Sequence, residues 1–196
     1  SLIIIMTVFI IGKPDVFLST RIYTAVFVSL PLIVFMTIPL VFIIASGQID
    51  LSFASVFGMG AWVFAASVAA GLSPVIGLMA ALLTGAACGI VNGLLVTKVG
   101  LSPLVSTLGM NFLLRGIIMV GRQGHGISLP QLAGTPFYNV LVGRLGGLPI
   151  QMIWGLLFTF IGWLLYSRHR FGGHIRCIGD NQEDIRFAYN KDRHYN

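Results

Sequence analysis

Two groups of polar residues interrupt the apolar runs of this sequence, and they are the places where chemistry could occur. The first lies in SGQIDLS, residues 46–52, where Asp50 stands between two long apolar stretches. As an N-cap, its carboxylate could accept hydrogen bonds from the free amides of the next helix, with Gly47 and Ser52 completing a tight hairpin. It could also bind an ion or a proton, as carboxylates do in secondary transporters. No second acid lies in any apolar run, which favours the N-cap.

The second group is Thr107, Asn111 and Arg115, which recur every four residues and therefore share one face of a helix. An arginine inside a membrane span costs about 2.5–3.5 kcal/mol on insertion scales, so it should face the bundle interior, a water-filled cavity or a partner. Asn92 is a further polar residue in the preceding apolar run. These four side chains are candidates to line a route for a polar solute. Alternatively, Arg115 pairs structurally or snorkels to the outer surface.

The composition explains why polar residues stand out. Of the 196 residues, 56% are hydrophobic and only 9% are charged, and the mean hydropathy is +0.92, which excludes an ordinary soluble domain. The apolar runs are continuous rather than alternating, so they predict helices and not barrel strands. The net charge of +6 comes from dispersed basic residues rather than from a basic stripe with aromatics, which argues against nucleic acid as a partner. The sequence predicts an all-α membrane protein.

The apolar runs predict a bundle of about six transmembrane helices. The opening run, LIIIMTVFII, is too short to span and is interpreted as the end of a clipped first helix. The other spans are expected at about 22–45, 51–70, 74–96, 103–120 and 149–166. The glycine-rich and proline-rich segment before the last span predicts a loop with a short interfacial helix. Residues 1–167 thus form a transmembrane domain, and 168–196 form a polar tail.

Small residues recur at every fourth position in the fourth span and should let a neighbouring backbone approach closely. They are Gly77, Ala81, Gly85, Gly89 and Gly93.

The basic residues predict the orientation of the spans. Six of the twelve lie from Arg168 onward, and basic residues are enriched on the cytosolic side. The tail and Lys98 are therefore expected in the cytosol, and the loop containing Arg122 and Arg144 outside.

No feature of the chain predicts catalysis. The sequence contains no GxxxxGK[ST] phosphate loop, and its four histidines lack metal-ligand spacing. The sequence therefore predicts a protein that is not an enzyme and needs neither a metal nor a cofactor.

Three segments resemble one family of membrane proteins. SGQIDLSFASVFGMGAWVFAA is similar to the TGGIDLSVGS stretch of the permease subunits of ribose-type ATP-binding-cassette importers. GIVNGLLVTKVGLSPLVSTLGMNFLLRGI resembles their next segment, NGLLV followed by PSFIVTLGT and ILRG. SRHRFGGHIRCIGDNQEDIRFA resembles TRFGRRIYAIGGNEEAARLSG, the cytosolic element that docks on the ATPase. The three motifs occur in the family's order.

The resemblance implies a permease subunit of a sugar-type importer in the bacterial cytoplasmic membrane. Its implied partners are cytosolic ATPase subunits, a second permease subunit in a homodimer or heterodimer, an external solute-binding protein and membrane lipid. The tail would form a short coupling helix that begins at a capping box after a Gly-Gly turn, at Asp180, and ends near Ala188. The residues implied in the ATPase contact are Arg170, Phe171, Gly172, Gly179, Asp180, Glu183 and Arg186.

Two departures from the family leave alternatives open. Gln48 replaces a glycine of the family, and the family continues with about four further spans where this chain ends in AYNKDRHYN, so the permease is expected to be truncated after the coupling segment. An ion-coupled carrier or channel and a non-functional permease fragment are the alternative functions. A tail that lies on anionic lipid is the alternative to ATPase docking.

Overall fold

The computed structural model describes residues 2–17, 19–123 and 125–180 and is almost entirely helical. In chain order its elements are α1 (Leu2–Gly12), α2 (Pro14–Phe17), α3 (Thr20–Ala45), α4 (Phe53–Ala69), α5 (Pro74–Thr97), α6 (Pro103–Arg122), a 3₁₀ turn (Pro130–Leu132), α7 (Pro136–Val142), β1 (Arg144–Leu145), β2 (Leu148–Pro149), α8 (Ile150–Ser167) and α9 (Arg170–Asp180). The two strands form a minimal antiparallel hairpin.

The predicted all-α membrane fold is confirmed. Within the described residues, four helices are long and apolar enough to cross a membrane by length and composition: α3, α5, α6 and α8. The two other expected spans are shorter, because α4 has 17 residues and α1 has 11. The short helix expected in the loop before α8 is α7, of 7 residues.

Three helices begin with the same local signal, a hydroxyl residue followed by proline. The hydroxyls of Ser73, Ser102 and Thr135 accept hydrogen bonds from the amide three residues further on, at 3.2–3.3 Å. The proline that follows has no amide proton, so it leaves no additional donor unsatisfied in the first turn. These starts are therefore determined by adjacent residues rather than by distant packing.

Helices α4, α5 and α6 pack together and form the α4–α6 bundle. Its buried centre contains Cys88, Met110 and Leu114. The first half of the small-residue series meets α4 as expected, since a Cβ built at Gly77 would lie 3.2 Å from side-chain atoms of Phe64 and Val68. The second half does not, because a Cβ at Gly89 or Gly93 would meet nothing within 4 Å.

Helix α3 packs along α8, and α9 lies across the ends of both, forming the α3–α8–α9 layer. Two glycines of α8 make the close approach possible. A Cβ at Gly155 would lie 3.2 Å from Pro31, and one at Gly162 would lie 2.8 Å from Ile38. Phe35 and Phe158 add an edge-to-face ring contact at 5.0 Å in the same interface.

We expect Gly162→Ala to lower the midpoint of thermal unfolding of the purified protein in detergent. The added methyl group would overlap Ile38, and overpacking of this kind typically costs about 1–3 kcal/mol. Gly116→Ala is the matched control, because nothing lies within 4 Å of a Cβ there and alanine favours a helix over glycine by about 1 kcal/mol. An equal midpoint for both variants would contradict the observed α3–α8 contact.

Candidate functional site

The first candidate residues lie in the turn between α3 and α4. Asp50 Oδ1 accepts hydrogen bonds from the Ser52 amide at 2.6 Å and from the Ser52 hydroxyl at 2.7 Å. The expectation that Asp50 is the N-cap is wrong, because α4 begins at Phe53 and Ser52 occupies the N-cap position. Asp50 instead accepts from the cap residue and so holds Ser52 in place. Gly47 has φ of 73°, a left-handed conformation that glycine adopts without strain, and turns the chain after α3.

A chain of buried hydrogen bonds extends from this turn into the bundle. Asn92 on α5 donates through Nδ2 to the Ser52 hydroxyl at 2.9 Å. The Ser106 hydroxyl on α6 donates to Asn92 Oδ1 at 3.5 Å. The exposed fractions of Ser52, Asn92 and Ser106 are 0%, 9% and 4%. Because buried polar groups need partners, this network connects the beginning of α4 to α5 and α6.

The three residues of the predicted polar stripe on α6 differ in burial and in hydrogen bonding. Thr107 is buried, and its hydroxyl donates to the Pro103 carbonyl of its own helix at 2.8 Å. Asn111 is half-buried, and its Oδ1 atom has no hydrogen-bond partner among the described residues. Arg115 is exposed and points into a cleft. Of the three residues, Arg115 lines this cleft.

This arginine-lined cleft lies between α4 and α6 and has a volume of about 500 Å³. Its polar lining is Ser55, Trp62, Arg115 and Arg122, and small residues of α4 widen it. Arg122 is oriented by its Nε, which donates to the His125 carbonyl at 3.0 Å. The sequence from residue 51 to residue 179 contains neither aspartate nor glutamate, so neither arginine has an acid partner from these elements.

A second opening, the apolar groove, lies between α3 and the α4–α6 bundle and has a volume of about 680 Å³. It is lined mainly by aromatic and aliphatic side chains, and Asn92 and Asp50 also line it. Asn92 therefore faces a different opening from Arg115. That Asn92, Thr107, Asn111 and Arg115 line one route stays a prediction, and in this structure Asn92 and Arg115 line separate openings.

Helix α9 contains most of the residues implied in ATPase contact. The expected Gly-Gly turn is wrong, because Gly172 and Gly173 lie inside α9. Gly172 approaches the Tyr166 carbonyl, and the Phe171 ring packs 5.9 Å from that of Phe42. Glycine makes this early helical turn possible because it has no side chain to collide with the end of α8.

The remaining candidates in the tail lie at or beyond the end of α9. Gly179 contacts the Ala45 carbonyl, whereas Arg170 is exposed. Asp180 is the last residue of α9 in the part of the chain that the structure describes, and the helix expected to begin there lies outside that part. Glu183 and Arg186 lie outside the described residues, as does the helix expected to end near Ala188.

Sequence reasoning missed four residues of these sites. Ser106 gave a weak signal as a hydroxyl within an apolar run, and Arg122 follows Arg115 by seven residues, which places both on one helical face. Ser55 and Trp62 gave no signal of a site, because a serine or a tryptophan in an apolar helix is as typical of packing as of solute contact.

Comparison with known proteins identifies a family to which the chain is similar and several related proteins. Residues 22–189 match the family model described as branched-chain amino acid transport system / permease component. The D-allose transport system permease protein AlsC of Escherichia coli (strain K12) is 32% identical over 95% of this chain and 57% of that protein. The autoinducer 2 import system permease protein LsrD of Klebsiella pneumoniae is 35% identical over 77% of this chain and 46% of that protein. No solved structure matches significantly. The chain spans about half the length of these curated relatives.

Proposed function

The chain belongs to the family of transport-system permease components that its residues 22–189 match, and we propose that it forms part of the translocation path of an ATP-driven, sugar-type importer. It is a multi-pass membrane protein, and its relatives are permease subunits rather than enzymes. The observation that carries the proposal is the arginine-lined cleft, which is open to a solute beside a tightly packed bundle. The path would pass Arg115 and Ser55.

The lining of the cleft favours a polyhydroxylated solute. The guanidinium groups of Arg115 and Arg122 can hydrogen-bond to hydroxyl groups, and the Trp62 ring offers a flat apolar face. An amino acid would bring an ammonium group that needs an acceptor of opposite charge, and no acid occurs between residues 51 and 179. The names of the relatives, which mention D-allose and autoinducer 2, agree with a sugar-type solute.

The proposed partners follow from the family. Cytosolic ATPase subunits would dock on α9, a second permease subunit would complete the membrane path, and an external binding protein would deliver the solute. In this proposal α9 lies in the bacterial cytosol and the Arg122 end of the cleft lies outside, an orientation that the enrichment of basic residues after α8 supports.

Uptake assays test the proposal. The chain would be co-expressed with the ATPase and binding protein of its operon, purified as a complex and reconstituted in liposomes. We expect uptake of radiolabelled D-allose or D-ribose that requires ATP, with little uptake of leucine. Uptake that follows an imposed ion gradient without ATP would instead support the carrier hypothesis, and absence of a co-purified ATPase would contradict the proposal.

A further inference from the structure

We propose that Ser52 and Asn92 are positioning residues that transmit movement of α9 to the α4–α6 bundle. The inference rests on the proposed function, since α9 moves only if an ATPase acts on it. It assigns a role to the buried polar network that solute binding does not require. The argument has three parts: the separation of the helices into two groups, the contact of α9 with one turn, and the hydrogen bonds that join this turn to the bundle.

The helices form two groups that touch each other little. The α3–α8–α9 layer and the α4–α6 bundle each pack closely within themselves, whereas α3 and α4 make few contacts and the apolar groove lies between them. Near α9, the chain passes between the groups through residues 46–52, the turn after α3. At this end of the molecule, displacement of one group therefore reaches the other chiefly through this turn, whereas α7 connects α8 to α4 at the opposite end.

Helix α9 packs directly against that turn. A Cβ at Gly179 would overlap the Ala45 carbonyl oxygen and lie 3.6 Å from the Gly47 nitrogen. The turn is compact, because the Gly47 amide donates to the Ile44 carbonyl at 2.9 Å and the Gln48 amide donates to the Ile43 carbonyl at 3.2 Å. A shift of α9 therefore displaces the turn as a unit.

The polar network connects the other end of the turn to the bundle. Asp50 accepts from Ser52, Ser52 accepts from Asn92, and Asn92 accepts from Ser106. The Ser52–Asn92 and Asn92–Ser106 bonds are buried and the Asp50–Ser52 bond is partly buried. A buried hydrogen bond is stronger than one in water, and an unpaired buried group is costly. Ser52 is the one residue of the network that belongs to both the turn and the bundle, so its hydroxyl is the point at which displacement is passed on.

The test measures the number of solute molecules imported per ATP hydrolysed. The full chain, assembled with its ATPase and binding protein in liposomes, is assayed with whichever of D-allose or D-ribose the wild-type complex imports. We expect Ser52→Ala and Asn92→Ala each to lower this ratio about threefold to tenfold, the effect of one buried hydrogen bond, while ATP hydrolysis per complex continues. A purely structural role would lower the amount of complex and leave the ratio unchanged.

Two controls make the outcome specific. Ser29→Ala removes a hydroxyl that donates only to the Ala25 carbonyl of its own helix, and should leave the ratio unchanged. The double variant of Ser52 and Asn92 should have about the same ratio as either single variant, because each single variant already breaks the Ser52–Asn92 link through which displacement passes. If Ser52→Ala does not assemble, Asn92→Ala still breaks the Ser52–Asn92 bond, together with the bond from Ser106 to Asn92.

The two proposals can fail separately. Wild-type ratios in both single variants, or additive losses in the double variant, would overturn the inference while leaving the importer intact. A wild-type complex without ATP-dependent uptake would overturn the proposed function and the inference together.

Discussion

Replacing Arg115 with leucine should lower solute uptake by about tenfold or more, because a hydrogen bond from a charged group contributes about 1.5–3 kcal/mol. The guanidinium group lines the cleft and has no acid partner on α4–α9 before residue 180, so the solute would be its principal hydrogen-bonding partner. Initial uptake rates of reconstituted complexes, normalised to the amount of complex by immunoblot, provide the measurement.

The Arg115 prediction has a matched control and a graded variant. Arg144→Leu removes an exposed arginine of β1 that does not line the cleft, and it should retain full uptake. Arg115→Lys should give intermediate uptake, since the ammonium group keeps the charge but lacks the planar fork that binds adjacent hydroxyls. Equal uptake by Arg115→Leu and Arg144→Leu would show that the path lies elsewhere.

The second large effect is expected at Ile178, an apolar residue of α9 that is 50% exposed. Changing Ile178 to glutamate should reduce the co-purified ATPase about tenfold or more, because apolar anchors at the centre of an interface contribute most of its binding energy. The side chain is exposed, so the substitution should not unfold the permease itself. Affinity purification of the tagged chain followed by quantification of bound ATPase measures the effect.

Leu145→Glu is the control for this prediction. Leu145 is 65% exposed and lies in β1. The hairpin that contains β1 is at the opposite end of α8 from α9. The Leu145→Glu variant should retain the ATPase. If Ile178→Glu retains it equally, α9 does not provide the docking surface, and a position of α9 on anionic lipid becomes the better explanation. Binding of the purified chain to anionic liposomes would then distinguish that case.

Much of the fold could be predicted because its signals are local. Continuous apolar runs determine helices in a membrane, where every backbone group must be satisfied within its own segment. The pairs Ser73-Pro74 and Ser102-Pro103 mark the starts of α5 and α6, since a cap acts only on the first helical turn. The family motifs also lie within short segments, so the membrane class and the family could be inferred from sequence.

The site could be predicted only in part, because spacing along one helix does not specify its neighbours. Thr107, Asn111 and Arg115 share a face of α6. Thr107 is nevertheless buried in the bundle, whereas Arg115 is exposed in a cleft. Asn92 is recognisable in the sequence as a polar residue within an apolar run, but its hydrogen bonds to Ser52 and Ser106 join residues up to 40 positions apart.

The sequence by itself therefore determined the helical membrane class, the starts of α5 and α6 and the candidate polar residues, since each depends on interactions within a few residues. Only the tertiary structure decided that Ser52 rather than Asp50 occupies the N-cap position of α4, that Gly172 and Gly173 lie inside a helix, and that Asn92 and Arg115 line different openings. These depend on which helix faces pack together, and packing is a property of the assembled bundle rather than of any one segment.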